Sequence, residues 1–144
     1  MAYTVLLPLD GSEMAEHAFD HVLDRYPDAS LVLAHVVDVV EASYRVPLDA
    51  PVPSYWDDWY DEATAEARNL LGDFADRAEA AGHPVETDVR VGQAAREILG
   101  AVDDHDVDQV VMGSHGRSGV SRVLLGSVAE TVCRRSPVPV TVVR

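Results

Sequence analysis

The chain has 144 residues, a length typical of one domain, and its single cysteine cannot form a disulfide within the chain. It carries 25 acidic residues against 11 arginines, contains no lysine and has a net charge of −14. This charge argues against nucleic acid or an anionic membrane as a general partner, and no apolar run approaches the roughly 20 residues of a membrane helix. The start of the chain lacks the pattern of a signal peptide, so the sequence predicts a cytoplasmic protein.

The excess of acidic residues also indicates the salt concentration in which the protein works. At 1 M salt the Debye length is about 3 Å, so an acidic surface repels itself little there. An ordinary acidic protein is the alternative. The complete absence of lysine favours a salt-rich cytoplasm, as in a halophilic archaeon.

The first third of the chain reads as strand, helix and strand. An apolar strand is predicted from Tyr3 to Pro8, and helical spacing of apolar residues predicts a helix from about Ser12 to Arg25. The next strand, Leu31 to Val37, is a continuous apolar run interrupted only by His35. Runs of this kind are typical of strands that are buried on both faces.

The segment Asp38 to Tyr55 is predicted to be irregular because it contains three prolines, and its length makes it either a lid or a spacer. A long helix is predicted from about Tyr55 to Ala81. The sequence Gly82-His83-Pro84 that follows is a typical stop signal for a helix.

The rest of the chain continues the alternation of strands and helices. The predicted elements are a strand at Val85 to Val91, a helix at about Ala94 to Asp103, and a strand at Gln109 to Met112, then a helix at Ser127 to about Arg135 and a strand at Val138 to Val143. Five strands and four helices in strict alternation predict a single α/β domain over residues 1–144. Its core is a doubly wound, five-stranded parallel sheet with helices on both faces.

The segment from Gly113 to Ser127 is the candidate ligand-binding loop of the chain. It leaves the carboxyl end of a strand and enters a helix, and ligands of open α/β sheets bind at that edge. Glycines let backbone N–H groups approach an anion closely, so valine at Gly113 or Gly126 is expected to fill the space of a phosphate. Ser127 and Glu130 fit a capping box. A phosphate-binding loop and a plain glycine-rich turn before a capped helix are both compatible with these features.

Local charge favours the phosphate-binding alternative. The segment 113–136 has a net charge of +3, with one acid, Glu130, and four arginines, Arg117, Arg122, Arg134 and Arg135. Arginines at the end of a helix also complement its dipole, which accounts for Arg134 and Arg135. It does not account for Arg117 or Arg122, which are candidates to contact phosphate.

The segment contains no Walker P-loop and no GxGxxG fingerprint. Its pattern Gly-x2-Gly-x9-Gly-Ser, formed by Gly113, Gly116, Gly126 and Ser127, resembles that of the ATP-binding universal stress proteins. The resemblance extends over the whole chain, from the opening Val5–Ser12 to the closing Ser136–Val140. It implies the strand order 3-2-1-4-5 and a homodimer made by antiparallel pairing of strand 138–143.

The resemblance also implies roles for matching positions. Asp10 would lie near the ribose and the metal-bound phosphates, which makes it the candidate ligand of Mg²⁺, and the backbone of Val36 would meet adenine. The remaining residues would line the base, ribose and phosphate subsites: Pro8, Met112, Gly113, Gly116, Gly126, Ser127 and Val128. From the residues alone, Asp10 could equally be a helix N-cap, and Val36 and Met112 could be plain core.

The expected function is that of an ATP-binding stress-response module, a switch with little or no hydrolysis. A slow ATPase or phosphotransferase is one alternative, and a dimeric interaction module that does not depend on nucleotide is another. Among other residues, Asp104, Asp106 and Asp108 are predicted to lie in a solvated loop at the opposite end of strand four from the site. Cys133 is predicted to be a buried small hydrophobe, and His115 to shape or contact the phosphate loop.

Overall fold

The computed structural model describes residues 3–38, 52–115 and 125–144. In this part of the chain, strands and helices alternate throughout. The elements are β1 (Thr4–Pro8), α1 (Glu13–Arg25), β2 (Ser30–Val37), α2 (Val52–Ala80), β3 (Val85–Val91), α3 (Ala94–Asp104), β4 (Gln109–Gly113), α4 (Ser127–Arg135) and β5 (Val140–Val143).

The strands form one parallel sheet in the order β3-β2-β1-β4-β5, which confirms the predicted topology. β1 lies at the centre, where Leu6 pairs with Val32 of β2 and with Val110 of β4. The chain first winds outward through β2 and β3 and then returns to the other side of β1 to form β4 and β5. The strand order therefore reverses between β1 and β4, the place where α/β sheets open a crevice for ligands.

Helices cover both faces of the sheet, as the apolar runs predict. On one face, α1 and α2 enclose a core centred on Phe19, Leu33 and Leu71. On the other face, α3 and α4 pack over Leu6 and Val110. Successive residues of β1 point to opposite faces, so a central strand that is covered on both faces buries every residue of its middle, here Val5, Leu6 and Leu7.

Two predicted boundaries are wrong for identifiable reasons. α2 begins at Val52, so residues 52–55 are helical and not irregular, whereas residues 39–51 of the predicted loop lie outside the described residues. Pro53 is compatible with this start because proline is tolerated in the first turn of a helix. β5 begins at Val140 and not at Val138. Pro139 precedes the strand, although its carbonyl still accepts a hydrogen bond of 2.9 Å from the Val110 N–H.

Two other expectations concern single residues. Cys133 is exposed, so the prediction that it is buried is wrong. The buried face of α4 is formed by Ala129 and Val132, and the residue after Val132 points away from it. Asp108 does lie at the amino end of β4, away from the carboxyl edge, where its Oδ2 accepts a 2.8 Å hydrogen bond from the Thr4 N–H.

A network of charged side chains joins β3 to α3. Arg90 donates to Asp88 at 2.9 Å, to Glu97 at 3.2 Å and to Asp104 at 3.0 Å, and His105 Nε2 lies 2.8 Å from Asp88. Asp104 is thus the paired last residue of a helix and not part of a solvated loop. Partial burial would raise the pKa of Asp88, but the hydrogen bonds from His105 and Arg90 hold that pKa below its ordinary value.

In the described part of the chain, no helix is long and apolar enough to cross a membrane.

Candidate functional site

A cavity of about 440 Å³ opens at the carboxyl edge of the sheet, at the reversal of strand order between β1 and β4. Its walls come from the ends of β1, β2 and β4 and from the first turns of α1, α3 and α4. Small-molecule sites typically occupy roughly 300–1,000 Å³, so the cavity has the volume and the position of a ligand site.

Most of the predicted site residues meet at this cavity. The lining includes Pro8, Asp10, Val36, Met112, Gly113, Gly126, Ser127 and Val128. Gly116 and Arg117 lie outside the described residues. Residues that are more than 100 positions apart in sequence are therefore neighbours at one edge of the sheet. Their contacts with a ligand remain a prediction.

Asp10 lies in a tight turn between β1 and α1. Its Oδ1 accepts a hydrogen bond of 3.0 Å from the Ser12 N–H. The N-cap of α1 is Ser12, whose Oγ accepts from the Ala15 N–H at 3.1 Å, so the alternative in which Asp10 caps the helix is wrong. Gly11 between them has φ +79°, a conformation that glycine adopts without strain. The turn leaves the half-buried Asp10 on the cavity wall.

The end of β1 is also tied to the neighbouring strand β2. The Leu9 N–H donates to the Ala34 carbonyl at 2.8 Å, and Nδ1 of His35 lies 2.6 Å from the Leu9 carbonyl oxygen. The sequence predicted His35 only as an interruption of an apolar strand. The structure places His35 among the residues that line the cavity, and the one available signal was a polar residue near the carboxyl end of a doubly buried strand.

α4 begins at the cavity without a side-chain cap. Its N-cap is Gly126, and the first intrahelical bond runs from the Glu130 N–H to the Gly126 carbonyl at 2.9 Å. The N–H groups of Ser127, Val128 and Ala129 consequently have no acceptor within the helix. The helix starts where it was predicted, but the capping box is wrong because Ser127 is the first helical residue and not the N-cap.

The other two helices whose N-caps are described differ from α4. Ser12 caps α1, and the Gln93 side chain caps α3 by accepting from the Arg96 N–H at 2.8 Å. Only α4 among these three presents its first turn uncapped by a side chain, and that turn forms part of the cavity wall. Together with the helix dipole, N–H groups that have no acceptor within the helix make such a terminus suited to an anion.

The two glycines at the cavity are required by packing within the protein. A Cβ on Gly113 would lie 2.7 Å from Met14 Cβ and 2.8 Å from its backbone carbon, and a Cβ on Gly126 would lie 2.9 Å from the Ser114 carbonyl oxygen. The first contacts of a valine side chain at these positions would be with helix α1 and with Ser114 just after β4. Whether it would also fill the space of a phosphate stays a prediction. A valine variant would disturb the fold.

Charges near the cavity come from few described residues. Arg134 and Arg135 lie in the last turn of α4, at the opposite end from the cavity, and Arg134 pairs with Glu130 at 3.3 Å. Their position fits the alternative reading, in which they complement the helix dipole. Arg117 and Arg122 lie outside the described residues. Within the described ranges, no cluster of three or more His, Cys, Asp or Glu side chains is arranged to hold a metal ion.

Ser114 and His115 continue the wall beyond β4. Ser114 is 4% exposed, its Oγ lies 3.1 Å from His115 Nδ1 and 3.7 Å from Met14 Sδ, and its N–H donates to the Val143 carbonyl at 2.9 Å. These contacts tie the cavity wall to α1 and to β5. Ser114 was not predicted as a lining residue, and His115 was predicted to shape this region, where the structure places it.

Comparison with known proteins shows which family this fold belongs to. The family model described as the universal stress protein family matches residues 1–144. The chain belongs to the universal stress protein family. The universal stress protein MJ0577 of Methanocaldococcus jannaschii is 32% identical over 151 residues, covering 97% of this chain and 93% of that protein. The universal stress protein YxiE of Bacillus subtilis is 31% identical over 144 residues, covering 97% of each.

Solved structures of universal stress proteins share the fold. The structure of MJ0577 matches with a TM-score of 0.86 at 33% identity, over 99% of this chain and 96% of that chain. A universal stress protein solved in complex with cAMP matches with a TM-score of 0.66 at 28% identity, over 99% of this chain and 96% of that chain.

In this universal stress protein, the described part of the glycine motif sits on the cavity wall. Gly113 ends β4, and Gly126 and Ser127 begin α4. The backbone of Gly126 closes the gap between the two elements by donating to the Ser114 carbonyl at 2.8 Å. The motif thus brings the end of a strand and the start of a helix together at one edge of the sheet.

Proposed function

We propose that this universal stress protein binds ATP with Mg²⁺ and acts as a nucleotide-dependent switch in a stress response, with little or no hydrolysis. The observation that carries the proposal is the start of α4, whose first residues line a cavity at the carboxyl edge of the sheet and whose first N–H groups have no acceptor within the helix. The relative in complex with cAMP supports an adenine nucleotide as the ligand class.

The two sides of the cavity suit the two ends of a nucleotide. Ala34, Ile98 and Met112 form an apolar wall on the α3 and α4 face, with the half-buried Val36 beside them. An adenine ring would bury its faces against such a wall. The phosphates would accept from the N–H groups of Ser127 and Val128, which have no acceptor within the helix. Gly116 and Arg117 would complete this end.

Asp10 would bind the ribose or the metal ion. Among the described residues that line the cavity it is the only carboxylate. Mg²⁺ in nucleotide sites is commonly held by one or two carboxylates together with the phosphates, and Asp10 at the turn after β1 would supply one. Phosphoryl transfer further requires a group that orients the attacking nucleophile. If Asp10 is occupied by ribose or metal, no second carboxylate of the described wall is left for that task, so we expect binding without efficient turnover.

We also propose a homodimer through β5. This strand pairs with β4 alone among the described strands and lies at the edge of the sheet. Unpaired N–H and carbonyl groups on an edge strand invite pairing with another chain. Antiparallel pairing of two β5 strands across a two-fold axis would satisfy these groups.

Ligand extraction tests the proposed nucleotide directly. The protein is purified rapidly in molar KCl, denatured, and its ligand identified by mass spectrometry, with isothermal calorimetry of ATP, with and without Mg²⁺, on the ligand-free protein. We expect an adenine nucleotide and saturable binding of ATP. The absence of both would refute nucleotide binding. Phosphate release of about 1 per second or more at saturating ATP and Mg²⁺, abolished in Asp10→Ala, would instead establish an ATPase.

A further inference from the structure

We propose that His35 is a positioning residue that holds Asp10 in place on the cavity wall by donating a hydrogen bond from Nδ1 to the Leu9 carbonyl. The effect on ligand affinity rests on the proposed nucleotide binding. The effect on the turn itself does not, because it concerns the protein without ligand.

The contact between His35 and Leu9 fixes the protonation of the ring nitrogen. The Leu9 carbonyl oxygen can only accept, so Nδ1 at 2.6 Å must carry the hydrogen. Both the neutral Nδ1–H form and the imidazolium meet this requirement. On its other side, Leu9 donates its own N–H to the Ala34 carbonyl at 2.8 Å. Two neighbouring residues of β2 therefore hold both polar groups of Leu9.

The orientation of the Leu9 carbonyl determines how the backbone of Asp10 is placed. The Leu9 carbonyl belongs to the peptide plane that joins Leu9 to Asp10, so its direction sets where the Asp10 side chain leaves the backbone. The Asp10 carboxylate is held next by the Ser12 N–H at 3.0 Å. Leu9 as a whole residue is only 2% exposed, and a buried carbonyl that lost its donor would tend to reorient toward a new one. The turn at residues 9–12 would then loosen.

A pair of variants separates the donor atom from the bulk of the ring. The amide nitrogen of asparagine lies at a similar distance from the backbone to Nδ1, whereas that of glutamine lies nearer the position of Nε2. In the ligand-free protein, the Ser12 amide reports the turn because it donates to Asp10. We expect His35→Gln to speed hydrogen exchange of that amide about tenfold and His35→Asn to restore most of the protection. Unchanged exchange in His35→Gln, or equal acceleration in both variants, would overturn the proposal.

A double-mutant cycle then tests whether His35 acts on the ligand through Asp10. We expect His35→Gln to weaken ATP binding about fivefold to tenfold in the wild-type background and to have no further effect beside Asp10→Asn. An equal loss in both backgrounds would show another route and would overturn the proposal. A wild-type protein that binds no nucleotide would refute the proposed function instead, and the exchange measurement would still decide the role of His35.

Discussion

Replacing Ser127 by proline removes one N–H group from the start of α4 without disturbing the helix. Ser127 is the first helical residue, where proline is favoured because the N–H has no acceptor within the helix. Proline also restricts the residue before it to extended conformations, and Gly126 already has φ −64° and ψ 154°. We therefore expect the free energy of unfolding to stay unchanged or to rise by up to about 1 kcal/mol.

The loss in affinity follows from the hydrogen bond that is removed. A hydrogen bond to a charged group contributes about 1.5–3 kcal/mol, which corresponds to a dissociation constant for ATP that is roughly 10-fold to 150-fold larger. Part of that loss could come from the Ser127 hydroxyl, which proline also lacks. Ser127→Ala measures this part separately, because it removes the hydroxyl and keeps the N–H.

Calorimetric titration of ATP in molar KCl, with thermal unfolding of each variant, is the assay. Glu13→Pro is the matched control: Glu13 is the first residue of α1, its N-cap Ser12 has φ −79° and ψ 162°, and Glu13 is not part of the cavity wall. We expect Glu13→Pro to bind ATP like the wild type. If Ser127→Pro is folded and binds ATP as tightly as Ser127→Ala, the Ser127 N–H does not bind the phosphates, and the proposed phosphate site loses its first donor.

Four further expectations concern packing, pH, assembly and salt. Gly126→Ala should lower the free energy of unfolding, measured in urea, by about 1–3 kcal/mol, because the new Cβ would lie too close to the Ser114 carbonyl oxygen. Gly72→Ala should raise it by about 0.5–1 kcal/mol, because the new Cβ meets no atom within 4 Å in a helix. The reverse order of stabilities would contradict the packing argument. The lowered pKa of Asp88 means that its carboxylate stabilises the fold above its unfolded pKa of about 3.9, and this contribution is lost as pH falls through the lower folded pKa. Asp88→Asn should therefore lose less stability on acidification than the wild type. If the free energy of unfolding falls equally with pH in both proteins, the ionised Asp88 in the network around Arg90 contributes nothing to stability. The carbonyls of residues 139 and 143 accept from Val110 and Ser114, so alternation along the strand directs the Val142 N–H to the free edge of β5. Val142→Pro should turn the proposed dimer into a monomer in light scattering, and a dimer that persists would exclude β5 pairing. The thermal midpoint should fall as KCl is withdrawn, and a midpoint that stays flat or rises would remove the inference of a salt-rich cytoplasm.

The amino-acid sequence by itself determined the class of fold and the edge at which the cavity opens. The continuous apolar run of β2 requires cover on both faces, and the regular alternation with amphipathic helices leaves a parallel sheet as the way to provide it. The glycine motif after β4 then points to the carboxyl edge. These inferences succeed because they depend on periodicity and on short-range order along the chain, which the sequence displays directly.

Only the tertiary structure decided which atoms meet across that edge. It showed that Gly113 is small because Met14 of α1 packs against it, that Ser12 caps α1 in place of Asp10, and that His35 reaches the Leu9 carbonyl. It also showed that Cys133 points outward. The carbonyl that His35 holds and the helix that crowds Gly113 come from other segments of the chain. Such contacts depend on interatomic distances that packing fixes to within a fraction of an ångström, and no local pattern of residue types encodes those distances.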